Sequence, residues 1–240
     1  MSTPKSSQPA SLPACAEEFI ASVLRLEPQI AVFDCDGTLW RDNSGELFFY
    51  WEMDRGLVDA AVRQWARARY DDYLAGRVGE EQMCGEMVTI NQGVACAVLD
   101  RAANEFFPTH IAPGIFPEML ELTRRLSKSG CQLWAISSTA DWVIRPGAEL
   151  FGIPFERVIA ACVDNENGSC TGRLVRVPTD ELKASAIHEL LPRTPDAVFG
   201  NSLHDLAMLE LGHHAFAVNP NPELEQEARR RGWTVYHPGS

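Results

Sequence analysis

The sequence predicts an α/β fold: a doubly wound, mostly parallel sheet with an all-helical segment inserted after its first strand. Three observations carry that expectation. Short runs that are apolar throughout recur along the chain, helical patterns fill most of the gaps between them, and one long early stretch shows helical spacing with no such run. Strands buried on both faces read as continuous apolar runs, and their alternation with helices makes βαβ units with right-handed crossovers.

Taken in order, residues 1–14, rich in Pro, Ser and Ala, are expected to be a disordered tail. A helix follows from near Ala14, with Phe19, Ile20, Val23 and Leu24 on one face. Ile30-Ala31-Val32-Phe33, bounded by Pro28 and Gly37, suits the first buried strand. Residues 41–112 show helical spacing instead, as at Val58, Val62 and Trp65 and at Met83, Met87 and Ile90, and predict an insert of four or so helices. Residues 15–40 and 113–240 then make up the α/β core. Its further strands are Leu133–Ile136, Val158–Ala161, Ala197–Phe199 and Ala215–Val218, with Trp233–Tyr236 as a last edge strand. Amphipathic helices are expected over Phe116–Leu126, Asp141–Leu150, Thr179–Leu191 and Leu203–Leu211. Asn165-Glu166-Asn167-Gly168 separates two β-like stretches and signals a hairpin.

Composition excludes several classes of protein. A chain of 240 residues, 45% hydrophobic, can bury a large core. Its net charge of −12 repels nucleic-acid backbones and anionic lipid, so neither is an expected partner. The seven cysteines are odd in number and scattered without a C-x-x-C pair, which argues against a disulfide framework and a structural zinc site. There is no secretory signal pattern and no apolar stretch of the roughly 20 residues that span a bilayer. A cytoplasmic protein is expected, and no feature speaks to its oligomeric state.

The chemistry gathers at strand ends. The first strand runs into Asp34-Cys35-Asp36-Gly37-Thr38, where an open α/β sheet binds its ligands. Alternation along an extended segment sends Asp34 and Asp36 to the same side. Two carboxylates that close repel, which favours a bound cation or a retained proton, and both serve phosphoryl transfer. Asp-x-Asp-Gly also occurs in turns and calcium loops, so the neighbours matter. Ser137 and Ser138 end the second strand with hydroxyls able to hold a phosphoryl oxygen. Lys183 opens a helix and could pair with the same phosphate. Gly200-Asn201-Ser202-Leu203-His204-Asp205 supplies oxygen ligands after a further strand.

With these motifs in one order around one sheet, the chain resembles the haloacid dehalogenase superfamily, in its phosphoserine-phosphatase-like branch with a helical cap, over roughly residues 28–238. The resemblance implies a magnesium-dependent phosphomonoester hydrolase acting on a small phosphorylated metabolite. Asp34 would be the nucleophile that becomes an aspartyl phosphate, and Asp36 the general acid/base, with its backbone carbonyl on Mg2+. Ser137 and Ser138 would hold the phosphoryl group with Lys183. The metal set would be Asp34, Asp36, Asn201 and Asp205, and Pro113-Gly114 would mark the return from cap to core. The family's usual fourth motif begins Gly-Asp, whereas this chain has Asn201, an uncharged ligand for a hard cation that prefers carboxylate.

Rival readings remain beside this one. A phosphomutase would use the same residues, and a non-catalytic phosphate-binding protein would fit Asn201 alone. A cysteine phosphatase would use Cys35 with Arg41, or Cys170 with Arg176, at C-x5-R spacing, but Cys35 lies between two carboxylates that suppress its thiolate. His204, His213 and His214 lack a third ligand at suitable spacing for zinc. For the leaving group, Arg41, Glu46 and Arg55 are the candidate contacts. The aromatics Phe48, Phe49, Tyr50 and Trp51 are expected mainly as core, and would suit a cationic leaving group if one or two reached the site.

Overall fold

Strand β1 (Ile30–Asp34) is buried at every position, and its side chains divide between two cores. Ala31 and Phe33 face a cluster holding Phe19, Leu122 and Trp142, whereas Ile30 and Val32 face one holding Ile187, Met208 and Leu224. That is the period-two alternation of a strand covered on both sides, and it makes β1 the middle of the molecule. The computed structural model describes residues 12–239, so nearly all of the expected tail, residues 1–14, lies outside the described residues.

Helix α1 (Ala14–Leu24) precedes β1, and four helices follow it: α2 (Ser44–Asp54), α3 (Ala60–Leu74), α4 (Glu80–Thr89) and α5 (Cys96–His110). Helix α6 (Pro117–Lys128), β2 (Gln132–Ala140), α7 (Asp141–Leu150) and the hairpin β3 (Val158–Glu166) and β4 (Ser169–Arg176) come next. The chain closes with α8 (Glu181–Leu190), β5 (Ala197–Gly200), α9 (Leu206–Leu211), β6 (His214–Val218), α10 (Pro222–Arg231) and β7 (Thr234–Tyr236).

The sheet has seven strands in the order β4-β3-β2-β1-β5-β6-β7, parallel throughout except for the antiparallel β3–β4 pair. The fold is the doubly wound α/β architecture expected from the alternation. The hairpin turns where expected: Asn167 and Gly168 both take positive φ, at 53° and 80°, as a two-residue turn between right-twisted strands requires. From β1 the chain moves to β2 and β3 on one side and later to β5, β6 and β7 on the other. The carboxyl ends of β1, β2 and β5 therefore border the crevice where a doubly wound sheet binds ligands.

The four helices between β1 and α6 do not share one core. Phe49, Met53, Val58, Ala66, Tyr70 and Met83 form a cluster of their own, whereas α5 gives Leu99, Ala103, Phe106 and Phe107 to the main core beside Trp40. On α3 the buried positions are Ala66 and Tyr70, while Trp65, expected on the inner face, is 48% exposed. The inner face is set by which side chains meet α2 and α4, which helical spacing alone does not specify.

The start of β1 is held by Asp196, whose Oδ2 accepts the amides of Gln29 and Ile30 at 2.8 and 2.9 Å while Arg193 donates to both oxygens. Burial works against ionisation here, but Arg193 and the two amides win and hold the carboxyl at about 2. The unfolded carboxyl titrates near 3.8, so this contribution is complete above 3.8 and is lost as pH falls through 2. Asp196→Asn is therefore expected to lower stability by about 1–3 kcal/mol at neutral pH. Urea denaturation of both proteins across pH should show the gap closing below pH 3.8; a constant gap would mean that the ionised carboxylate is not what holds the strand.

Candidate active site

Strand β1 delivers Asp34 to the carboxyl edge of the sheet, and the chain turns immediately. Gly37 takes a φ of 80°, its amide donates to Trp40 O at 2.7 Å, and the Thr38 and Leu39 amides return to Cys35 O. A methyl group at Gly37 would lie 1.9 Å from Asn201 Nδ2, so both the conformation and the contact require glycine. The entry to the helical segment and the exit from it are tied together. Trp40 pairs antiparallel with Ile115, the Arg41 amide donates to Gly114 O at 2.9 Å, and the Phe116 amide donates to Leu39 O at 3.1 Å.

Lys183, the candidate phosphate partner in the sequence, lies in the first turn of α8. It is 3% exposed, and its Nζ donates to Asp34 Oδ1 at 2.7 Å and Asp205 Oδ1 at 2.6 Å. Burial by itself would discharge the ammonium, but Asp205 and Asp34 hold it above its ordinary range. Burial raises the Asp34 carboxyl well above the usual carboxylate range, and the Asp205 charge adds to this, with Lys183 pulling the other way. Thr38 Oγ1 donates to the other Asp34 oxygen at 3.0 Å. Asp205 uses its remaining oxygen on the amides of Asn201 and Ser202, at 2.8 and 3.1 Å. Asp205 thus holds both Lys183 and the loop after β5.

Asp36 is fixed by four donors. Trp40 Nε1, Ser44 N and Ser44 Oγ reach its Oδ1 at 2.6, 2.8 and 2.6 Å, and Thr139 Oγ1 reaches Oδ2 at 2.8 Å. It therefore links the turn, the start of α2 and the end of β2. The β2–β3 register shifts between Ser137 and Ala140, an irregularity that re-aims side chains at a strand end. Ser137 Oγ accepts the Thr139 amide at 3.2 Å, and Ser137, Ser138 and Thr139 all face the same cavity as Asp34.

That cavity has a volume of about 260 Å³. Its floor is made by the strand ends, with Asp34, Asp36, Ser137, Ser138, Lys183, Asn201 and Asp205 brought together as the motifs predicted. Its roof comes from α2, α3 and α4. Among the described residues, Lys183 is the only Lys or Arg on its wall. No cluster of three His, Cys, Asp or Glu is arranged among the described residues to hold a metal unaided. The oxygen donors at hand are Asp34, Asp36, Asp205 and the Asn201 amide. Such a set suits magnesium, which commonly takes one or two carboxylates and completes its shell with waters and substrate phosphate.

The leaving-group candidates divide. Glu46 lines the cavity. Arg41 is exposed and does not, and Arg55 stacks on Trp51 at 4.8 Å and pairs with Glu105 at 2.9 Å, also away from it. The C-x5-R reading gains nothing, because Cys35 is fully buried and its thiol is pushed well above the ordinary range by burial and by the flanking aspartates. Cys170 is pushed up to about 12, chiefly by burial. His204 sits on the cavity wall against Asp180 Oδ1 at 2.7 Å, while His213 and His214 lie elsewhere.

Sequence reasoning missed Glu52, Tyr70, Tyr73 and Glu80, which complete the roof. Glu52 had a readable signal: it sits at the i+3 and i+4 positions from Phe49 and Phe48, on the apolar face of α2. Asn219 was also missed; its Nδ2 supports the Gly37 carbonyl at 3.1 Å.

Residues 31–210 match the model of the haloacid dehalogenase-like hydrolases. The chain belongs to that family. Within it, the sequence is 28% identical over 217 residues to a histidinol-phosphatase from Neisseria meningitidis, covering 86% of this chain and 97% of that one. It is 26% identical over 222 residues to a phosphoserine phosphatase from Mycobacterium tuberculosis, covering 85% and 69%. Among solved structures, a Bordetella pertussis protein of unknown function superposes with a TM-score of 0.75 at 24% identity, covering 86% of this chain and 97% of that chain. A phospho-aspartyl intermediate analogue of phosphoserine phosphatase superposes with a TM-score of 0.55 at 16% identity over 87% and 92%, a likeness of fold. The chain thus stands with the family's phosphomonoester hydrolases, in the phosphoserine-phosphatase-like branch. No described helix is long and apolar enough to cross a membrane.

Proposed function

We propose that this hydrolase cleaves a small phosphomonoester by way of an aspartyl phosphate on Asp34, with Mg2+ as its cofactor and the helices over residues 41–112 as its cap. One observation carries the reading. Asp34 ends the central strand at the floor of the cavity, with one oxygen on a buried ammonium and the other on a hydroxyl. Magnesium, when bound, neutralises the phosphoryl oxygens and holds them in line. Asp34, Asp36 and Asn201 would hold it, with Asp205 acting through the loop.

An Asp34 oxygen attacks phosphorus while the ester P–O bond breaks, and Asp36 gives its proton to the departing alkoxide. Asp36 then takes a proton from water, whose oxygen attacks the same phosphorus and frees the Asp34 carboxylate. Lys183 offsets the charge on Asp34 and the phosphoryl group, and the Ser137 and Ser138 hydroxyls hold its oxygens. The cap keeps bulk water from the acyl phosphate. Seven cysteines without a disulfide, including Cys96 and Cys170 with sulfurs 3.9 Å apart, support a reducing cytoplasm as the compartment.

The relatives' names supply two substrates to try, histidinol phosphate and phosphoserine. The test is phosphate release from these and from neutral phosphomonoesters, with magnesium and with chelator. Magnesium-dependent release from at least one is the expected result, and none from any would overturn the reading. Hydroxyl acceptors added to the same assay would reveal a transferase by the new ester formed.

Asn201 makes the metal reading quantitative. An amide brings no charge, so Asn201→Asp is expected to lower the magnesium concentration for half-maximal activity by about tenfold or more. A magnesium titration of both proteins at saturating substrate checks this, and an unchanged midpoint would remove Asn201 from the metal.

A further inference from the structure

The roof of the cavity is acidic. Glu46, Glu52 and Glu80 all line it, and among the described residues no Arg does. Each has a partner: Tyr73 donates its hydroxyl to Glu80, Glu46 takes a hydrogen bond from Tyr70, and Glu52 takes one from Asn91. Glu52 is nevertheless only half satisfied. It is 1% exposed, and its Oε2 has no hydrogen-bond partner within the protein. A buried carboxyl oxygen left unpaired is costly, and native proteins carry few of them. This one lies on α2, on the wall of the cavity that holds Asp34 and Lys183. The rings of Phe48, Phe49, Tyr70 and Tyr73 line the same cavity.

Burial pushes the Glu52 carboxyl up to about 8, and a cation donating to its Oε2 would offset that burial. A hydrogen-bond donor with positive charge that tolerates ring faces suits such a site, and an ammonium ion has all three properties. A carboxylate does the opposite: among the described residues no Lys or Arg on the wall could meet it besides Lys183, which is already held by Asp34 and Asp205. We propose that Glu52, with Glu46 and Glu80 beside it, binds the ammonium of an amino-alcohol phosphate and that the cavity rejects esters bearing a carboxylate next to that amine, a proposal that rests on the hydrolytic reading above. Phosphate at the strand ends and ammonium under α2 then fix the two ends of one substrate. Between the two relatives' substrates, this chemistry selects histidinol phosphate, an amine without a carboxylate, over phosphoserine.

The test compares kcat/KM for four esters: ethanolamine phosphate, histidinol phosphate, phosphoserine and glycerol 3-phosphate. The first two are expected to exceed glycerol 3-phosphate by about tenfold to a hundredfold, the worth of a hydrogen bond to a buried charge, and phosphoserine to fall below them. In Glu52→Gln the ratio of ethanolamine phosphate to glycerol 3-phosphate should collapse by about tenfold or more. Calorimetric titration with ethanolamine phosphate provides a readout that needs no turnover. Turnover without an amine preference, or a preference that survives in Glu52→Gln, overturns the subsite and leaves the hydrolytic reading intact. No turnover, with ammonium-dependent binding that Glu52→Gln abolishes, overturns the hydrolytic reading and keeps the subsite. Neither turnover nor ammonium-dependent binding overturns both.

Discussion

Asp34→Asn is expected to abolish turnover, by ~10⁴-fold or more, the scale on which removal of a nucleophile acts. An amide oxygen in the same place is too weak a nucleophile to open the phosphoester. The substitution is nearly isosteric at a residue that is 5% exposed, so the turn should survive. It also removes one of the two carboxylates on Lys183, leaving the ammonium to Asp205 alone. Stability should therefore change far less than activity, and the two must be measured on the same preparation. Phosphate release by a folded Asp34→Asn protein above a few thousandths of the wild-type rate would exclude Asp34 as the nucleophile. Capture of labelled phosphate on the wild-type protein after acid quench, absent from the variant, would identify the residue directly.

Lys183→Met should produce the next largest effect, on both activity and stability. Removing the ammonium leaves Asp34 and Asp205 facing each other in a site that is almost dry, with Asp205 1% exposed. Breaking a buried ion pair by deleting one partner is strongly destabilising, on the order of 3–5 kcal/mol, because the remaining charge has no compensation. The carboxylates would respond by keeping a proton, which blunts Asp34 as a nucleophile. Turnover should fall by about 10³-fold. Urea denaturation followed by tryptophan fluorescence reads the first effect, and phosphate release reads the second. Magnesium offers a further discriminating measurement. A divalent cation next to Asp34 replaces part of the missing charge, so the variant should regain more stability from magnesium than the wild type does. A variant as stable as wild type without magnesium would show that the Lys183 contacts are not what holds the site together.

These effects are large because the site buries Asp34, Lys183 and Asp205 against one another. Elsewhere, pairs such as Glu17 with Arg125 and Asp164 with Arg173 sit in partly or fully exposed positions. Such pairs are each worth up to about 1 kcal/mol. Within the cavity the same types of group sit in a low dielectric and hold one another, so a single change propagates through Lys183 to both carboxylates.

Much of this was legible along the chain. The apolar runs at Ile30–Phe33 and Ala197–Phe199 suit strands covered on both faces, and the positions of Asp34 and Asn201 after them follow from that. The Asn167-Gly168 turn is likewise local, because the backbone there needs positive φ and these residues tolerate it. Alternation along an extended chain places Asp34 and Asp36 on one side whatever surrounds them. These properties depend on a few bonds of backbone, and sequence order determines them.

Tertiary packing decided the rest. Nothing near Lys183 in sequence says that it is buried, since its partners Asp34 and Asp205 are 149 and 22 residues away. Helical spacing predicted an inner face for Trp65 that the meeting of α2, α3 and α4 gave to Ala66 and Tyr70 instead. Proximity in sequence offered Arg41 and Arg55 as leaving-group contacts, whereas the cavity is closed by Glu52, Tyr70, Tyr73 and Glu80 from three different helices. Sequence by itself determined which residues stand at the strand ends, because strand and turn geometry are short-range. Only the tertiary structure decided what faces them, because burial, partner and charge environment belong to contacts between segments far apart in the chain.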